Sequence, residues 1–135
     1  MNMKTCGIIT EYNPFHQGHI YHIKKTKELT QCDCLIAIVS NHFTQRGLFS
    51  LLTMQDKTKL ALEAGCNLVI ELPPCYAAQS ADYFAKYAVE SLSQLHIDQI
   101  CFGSETNNIS TLKEYSKQME STQVVPSLSM NQNLY

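Results

Sequence analysis

Short apolar, β-branched runs alternate along this chain with longer stretches whose apolar residues recur every three or four positions. A strand covered on both faces is apolar nearly throughout, whereas a helix buries one stripe with a period of about 3.6 residues. Residues 5–10 (Thr5-Cys6-Gly7-Ile8-Ile9-Thr10) are thus a predicted strand, followed by a loop carrying Asn13, Pro14 and Gly18 and a helix predicted over 19–29. Residues 34–39, nearly all apolar, predict a second strand buried on both faces. Residues 41–52 read as a loop with Arg46-Gly47. Thr53 and Asp56 then resemble a capping box with Asp in place of Glu. That helix is predicted to stop at Ala64-Gly65, because glycine tolerates the left-handed conformation that ends helices. Residues 68–72 predict a third strand, halted by Pro73-Pro74. Ser80 opens a helix whose Phe84, Tyr87, Ala88, Leu92 and Leu95 share one face. Residues 99–102 predict a fourth strand ending in Gly103-Ser104-Glu105, and a last helix is predicted over 110–120.

Four strands alternating with four helices define an α/β fold built on a doubly wound parallel sheet. Ligands of such folds bind at the carboxyl ends of the strands, where strand order reverses. That rule places the loop after the first strand and the Gly103-Ser104-Glu105 turn at one crevice. One domain is expected over residues 1–120, with a polar tail over 121–135. No repeat or low-complexity tract breaks the pattern.

Composition narrows the picture. With 44% hydrophobic residues and a net charge of −2, the chain is a globular domain without a global field for nucleic acid. An RNA contact would need a local basic patch. The apolar runs are too short to span a bilayer, and Glu11 interrupts any signal-like apolar stretch early, so a cytoplasmic location is expected. The six cysteines include no CxxC, and Cys32-x-Cys34 has no partner pair at zinc-finger spacing. Reduced thiols are expected.

The chemistry concentrates in Tyr12-Asn13-Pro14-Phe15-His16-Gln17-Gly18-His19, between a strand and a helix start. Unpaired backbone N–H groups and the helix dipole favour phosphate there. Two imidazoles can donate to phosphate oxygens and favour the charge that develops when an α-phosphate is attacked and pyrophosphate leaves. Gly18 lets backbone approach without a Cβ. A metal reading of His16, His19 and His22 lacks a carboxylate or thiolate to complete the set. Hydrated magnesium arriving with a bound nucleotide is the more natural ion. Arg46 is either a cation beside the site or an ordinary solvated loop residue, and Glu71 reads as a hydrogen-bonding carboxylate.

Tyr12 to His19 resembles the HxGH signature of the nucleotidyltransferase superfamily that includes class I aminoacyl-tRNA synthetases. The longer string from Glu11 to His19, with Tyr21-His22, Phe43-Thr44-Gln45-Arg46-Gly47, Leu68-Val69-Ile70-Glu71-Leu72-Pro73 and Phe102-Gly103-Ser104-Glu105, resembles the bacterial tRNA(Met) cytidine acetate ligases. The resemblance covers residues 4–115. It implies a Rossmann-like sheet in the order 3-2-1-4, incomplete at the C-terminus, with the first loop near Gly103. It also implies activation of acetate by ATP as acetyl-adenylate, then acetylation of N4 of the wobble cytidine of elongator tRNA(Met). Carried over by position, the ATP site would comprise Ile9, Thr10, Glu11, Tyr12, Asn13, Pro14, Phe15, His16, Gln17, Gly18, His19, Ile20, Tyr21 and His22, with Gly103 close to adenosine. His16 and His19 would be catalytic, and Gln45 and Arg46 would meet substrate or tRNA phosphate. The second loop departs from the family pattern. Ser40 is followed by Asn41-His42, Gly47 by Leu48-Phe49-Ser50, and Met54 and Lys57 stand where the family has Lys and Arg.

Members of that family are considerably longer and carry a second phosphate-binding loop near a fifth strand, so the chain is expected to be an N-terminal piece that binds ATP weakly and is inactive alone. Two further readings remain open: an adenylyltransferase acting on a small phosphorylated metabolite, and a non-catalytic nucleotide-binding domain.

Overall fold

The computed structural model describes residues 2–78, 80–104, 106 and 108–121. They form two compact units, divided between Phe102 and Gly103. The first unit holds strands β1 (Thr5–Thr10), β2 (Cys34–Ser40), β3 (Leu68–Leu72) and β4 (Gln99–Ile100), and helices α1 (Gln17–Thr30), α2 (Met54–Ala64), α3 (Pro74–Ala77) and α4 (Ala81–Gln94). The strands make one sheet in the order β3-β2-β1-β4, the predicted order, and every pairing is parallel.

β2 is the spine. From Leu35 to Ser40 every residue is buried, because helices cover both faces of a strand flanked by neighbours. One face packs Cys6, Ile8, Leu35, Ala37 and Val39 with Ile23 of α1 and Ala61 of α2; the other packs Ile36, Ile38 and Leu72 with Ala88 and Leu92 of α4. Gly7 permits this second contact. A Cβ there would lie 2.7 Å from Leu92 Cδ2 and 2.8 Å from Ile97 Cδ1. Asp98 ties β4 to β1 by accepting from the Thr5 N–H at 2.7 Å and the Thr5 hydroxyl at 2.9 Å.

Several element ends differ from expectation. α1 starts at Gln17 rather than residue 19, because His16 supplies the cap that sequence rules assign to Ser, Thr, Asp or Asn. Pro74 does not merely halt β3; it occupies the first turn of α3, where its missing N–H costs nothing. β4 ends at Ile100, leaving Phe102 63% exposed. Leu95 is the C-cap of α4 and lies exposed, off the face shared by Ala88 and Leu92. Thr53 caps α2 as read, accepting from the Asp56 N–H at 3.1 Å, and Gly65 ends it with φ 122°.

The second unit contains α5 (Ile109–Ser121), opened by Asn108, whose Oδ1 accepts from the N–H groups of Ser110 and Thr111. Gly103 is exposed and begins this unit. Glu105 and the tail from 122 onward lie outside the described residues. Among the described residues no helix is long and apolar enough to cross a membrane.

Candidate functional site

The loop between β1 and α1 leaves the sheet at the carboxyl end of β1, where β1 lies between β2 and β4 and the chain order reverses. Tyr12 turns the chain with φ 52°, a conformation that costs a non-glycine residue roughly 1–2 kcal/mol. Burial holds it there. Tyr12 is 1% exposed, with Phe15 packed edge-on at 4.7 Å and His19 at 4.8 Å between ring centroids. Its hydroxyl has no nitrogen or oxygen partner and sits against the Cys66 thiol; burial raises the pKa of both, that of the thiol to about 11. The Asn13–Pro14 peptide is cis.

His16 and His19 then form a reciprocal capping box. His16 Nδ1 accepts from the Gly18 N–H at 3.1 Å, and His19 Nδ1 accepts from the His16 N–H at 3.1 Å. A ring nitrogen that accepts is unprotonated, so these bonds assign the proton of each neutral ring to Nε2. Each Nε2–H is thereby free of the cap. The rings are 3.8 Å apart between centroids. Burial, then the neighbouring His16 and His22, push the His19 pKa down to about 4. Burial also lowers the His22 pKa, and its Nε2 is buried without a partner. Gly18 has a local reason to lack a side chain: a Cβ would stand 2.9 Å from His16 Cε1 and displace the capping ring.

The loop is braced by residues 41–52. Glu11 Oε1 accepts from the Gln45 N–H at 2.5 Å, and Asn13 Oδ1 accepts from the Leu51 N–H at 2.6 Å. Beneath them Lys57 is fully buried and donates to the carbonyls of Ser40 (2.8 Å) and Asn41 (3.0 Å). Burial pulls its pKa down, while Glu11 opposes that shift. Asn41 Nδ2 donates to Glu71 Oε1, which fits the hydrogen-bonding reading of that carboxylate. Arg46 sits exposed in the turn closed by the Gly47 N–H on the Thr44 carbonyl. Among the described residues it makes no ion pair, and no group of three or more His, Cys, Asp or Glu side chains is placed to hold a metal ion. Cys6, Cys32, Cys34, Cys66 and Cys101 carry free thiols.

Ile9 to His22 are thus contiguous around one strand end and one helix start, and Gln45 touches Glu11 in the same unit. Sequence reasoning missed Lys57 and Asn13 as braces. A lysine inside an amphipathic helix reads as solvated, and only the fold puts it under the loop. The described geometry comprises a helix N-terminus with two imidazole N–H groups left outside the cap, at the reversal point of a parallel sheet.

Residues 3–134 match the model of the HIGH nucleotidyl transferase family, and the chain belongs to that family. Within it, the chain is homologous to tRNA(Met) cytidine acetate ligases. It is 50% identical over 115 residues to the one from Geobacillus sp. (strain WCH70) and 49% identical over 116 residues to that of Clostridium novyi. In both cases 85% of this chain is covered but only 29% of the relative, so the chain spans under a third of the length of these curated relatives. The crystal structure of Thermotoga maritima TmcAL bound with alpha-thio ATP superposes with a TM-score of 0.83 at 38% identity, over 87% of this chain and 29% of that one.

Proposed function

We propose that this chain is the ATP-binding part of a ligase that activates acetate as acetyl-adenylate and acetylates N4 of the wobble cytidine of elongator tRNA(Met). The single observation that carries the reading is the His16–His19 capping box, which leaves both Nε2–H groups free at a helix N-terminus. The 38% identity to a TmcAL crystallised with an ATP analogue supports it.

In this reading the amide-rich start of α1 receives the triphosphate, and the two Nε2–H groups donate to its oxygens. An acetate oxygen attacks the α-phosphorus, the bond to the bridging oxygen of the β-phosphate breaks, and pyrophosphate leaves with the charge. The histidines need not exchange protons for this step. Placement and charge stabilisation suffice, as in other phosphoryl-type transfers. Magnesium would arrive with ATP and offset phosphate charge. The N4 amine then attacks the acetyl carbonyl, AMP leaves, and the amine loses one proton. Arg46 and Gln45 serve substrate or tRNA phosphate.

The test, on a full-length version that contains this chain, is acetate-dependent exchange of labelled pyrophosphate into ATP, paired with mass-spectrometric detection of N4-acetylcytidine in tRNA(Met). Exchange that requires acetate is the expected result. Exchange stimulated by a phosphorylated metabolite instead would favour the adenylyltransferase reading and overturn this one.

A further inference from the structure

Residues 42–50 close on themselves as a hairpin. The Ser50 N–H donates to the His42 carbonyl at 2.7 Å, the Thr44 N–H donates to the Leu48 carbonyl at 2.8 Å, and Phe43 pairs antiparallel with Phe49. The Gly47 N–H on the Thr44 carbonyl closes a turn with Gln45 and Arg46 at its centre, and Gly47 leaves it with φ 74°. A segment bonded to itself in this way moves as one body.

Its outward connections are few. Among the described residues, every hydrogen bond from residues 42–51 to the rest of the unit ends on Glu11 or Asn13. The Gln45 N–H donates to Glu11 Oε1 at 2.5 Å; Asn13 Oδ1 accepts from the Leu51 N–H at 2.6 Å and from the Ser50 hydroxyl at 3.4 Å. Thr44 is buried at the base of the turn, but the tip is not packed: Leu48 is 63% exposed and Phe49 79%. Both acceptors belong to the nucleotide loop. They flank Tyr12, whose burial pins that loop to the core, and His16 opens the helix cap three residues beyond Asn13. Arg46, next to Gln45, is exposed, makes no ion pair among the described residues, and is the one Lys, Arg, Asp or Glu in residues 41–55.

We infer that this hairpin is a strap coupled to the nucleotide loop. Docked on Glu11 and Asn13 it holds Arg46 beside a bound polyphosphate, and released it does not, so nucleotide and docked strap stabilise each other. The inference rests on the proposed function for its ligand, whereas the link between hairpin and helix cap needs none.

The isotope-labelled chain, followed by amide NMR, would be compared with Gln45→Pro and Leu51→Pro. Each substitution removes one N–H that Glu11 or Asn13 accepts, and proline suits the first central position of the turn, which Gln45 holds. Without nucleotide, both should move the Gly18 and His19 amide resonances and leave those of α4 in place. ATP added to the native chain should shift Gln45 and Leu51 together with Gly18 and His19. Each proline variant should bind ATP about fivefold or more weakly, the lower scale of coupling between sites. Arg46→Ala should weaken ATP binding in the native chain and add nothing in Gln45→Pro, a non-additivity that a general loss of stability does not produce. Additive losses, or Gly18 and His19 unmoved by both proline substitutions, would overturn the strap. So would ATP that shifts Gly18 and His19 but neither Gln45 nor Leu51. ATP that leaves Gly18 and His19 unmoved would count against the proposed function, and the ligand-free comparison would then decide the strap by itself.

Discussion

His16 and His19 cap one helix end from opposite directions, each accepting a backbone N–H at 3.1 Å through Nδ1, with their rings 3.8 Å apart. The same bonds that complete the helix start therefore fix which nitrogen of each neutral ring keeps its proton. Structure and proposed chemistry can be separated by substitution. Asparagine is among the best N-cap residues, so His16→Asn should keep the cap, whereas His16→Ala should cost about 1 kcal/mol of stability. In a full-length version that contains this chain, both should lower acetate-dependent pyrophosphate exchange by about two orders of magnitude, the scale of a lost transition-state donor. Full exchange in His16→Asn would remove this imidazole from the mechanism.

The His19 pKa of about 4 lies below the ordinary value of 6.5, so between them the unfolded chain binds more protons than the folded one. Stability should therefore be fully present above pH 6.5 and decline as the pH falls towards 4. Melting temperatures measured across that window should drop, and His19→Asn should flatten the slope. A slope identical in the variant would show that His19 does not titrate in this way. Exchange activity should show no limb attributable to His19 between pH 6 and 8, because the ring stays neutral throughout.

Most of the fold was legible because its signals are local. The buried run 35–39, the Thr53 cap and Gly65 each act within a few residues, and the parallel order 3-2-1-4 follows once the family resemblance is added. The misplaced ends have physical causes. Histidine is not a habitual N-cap, Pro74 opens a turn as readily as it stops a strand, and Leu95 leaves the helical face because its helix has ended. At the site, the two histidines were legible by spacing. Their bracing was not, because Glu11–Gln45, Asn13–Leu51 and Lys57–Ser40 join residues far apart in the chain.

Gly7 supplies a test of the sheet–helix contact that leaves the site alone. An alanine Cβ would meet both Leu92 methyls and Ile97 Cδ1 at 2.7–2.8 Å, and Leu92 is fully buried with little room to move. Overpacking of this kind costs about 1–3 kcal/mol. Gly7→Ala should lower the urea midpoint accordingly, while ATP affinity below the transition stays unchanged. A neutral effect on the midpoint would show that α4 packs more loosely on β1.

Lys57 gives the sharpest prediction about the brace. Its ammonium group is fully buried, donates to the Ser40 and Asn41 carbonyls, and has Glu11 as the charge that favours its protonated form. A cation in that position loses hydration, and burial indeed pulls its pKa down, so the two carbonyl bonds and Glu11 must offset the loss. Lys57→Met keeps the length and apolar stem but removes both donors. It leaves two buried carbonyls without their donor and Glu11 without its counter-charge, a cost of about 2–4 kcal/mol. Because Glu11 also holds the Gln45 N–H, the variant should loosen the second loop as well as the carboxyl end of β2. Lys57→Arg keeps the charge and donors but must fit a larger planar head into the same space, so it should recover only part of the loss. Urea denaturation of the three proteins should rank them native, Arg, Met, with faster amide exchange at Gln45 in the Met variant. A Met variant as stable as the native chain would mean that apolar packing at this position outweighs the ammonium and that Lys57 does not brace the loop.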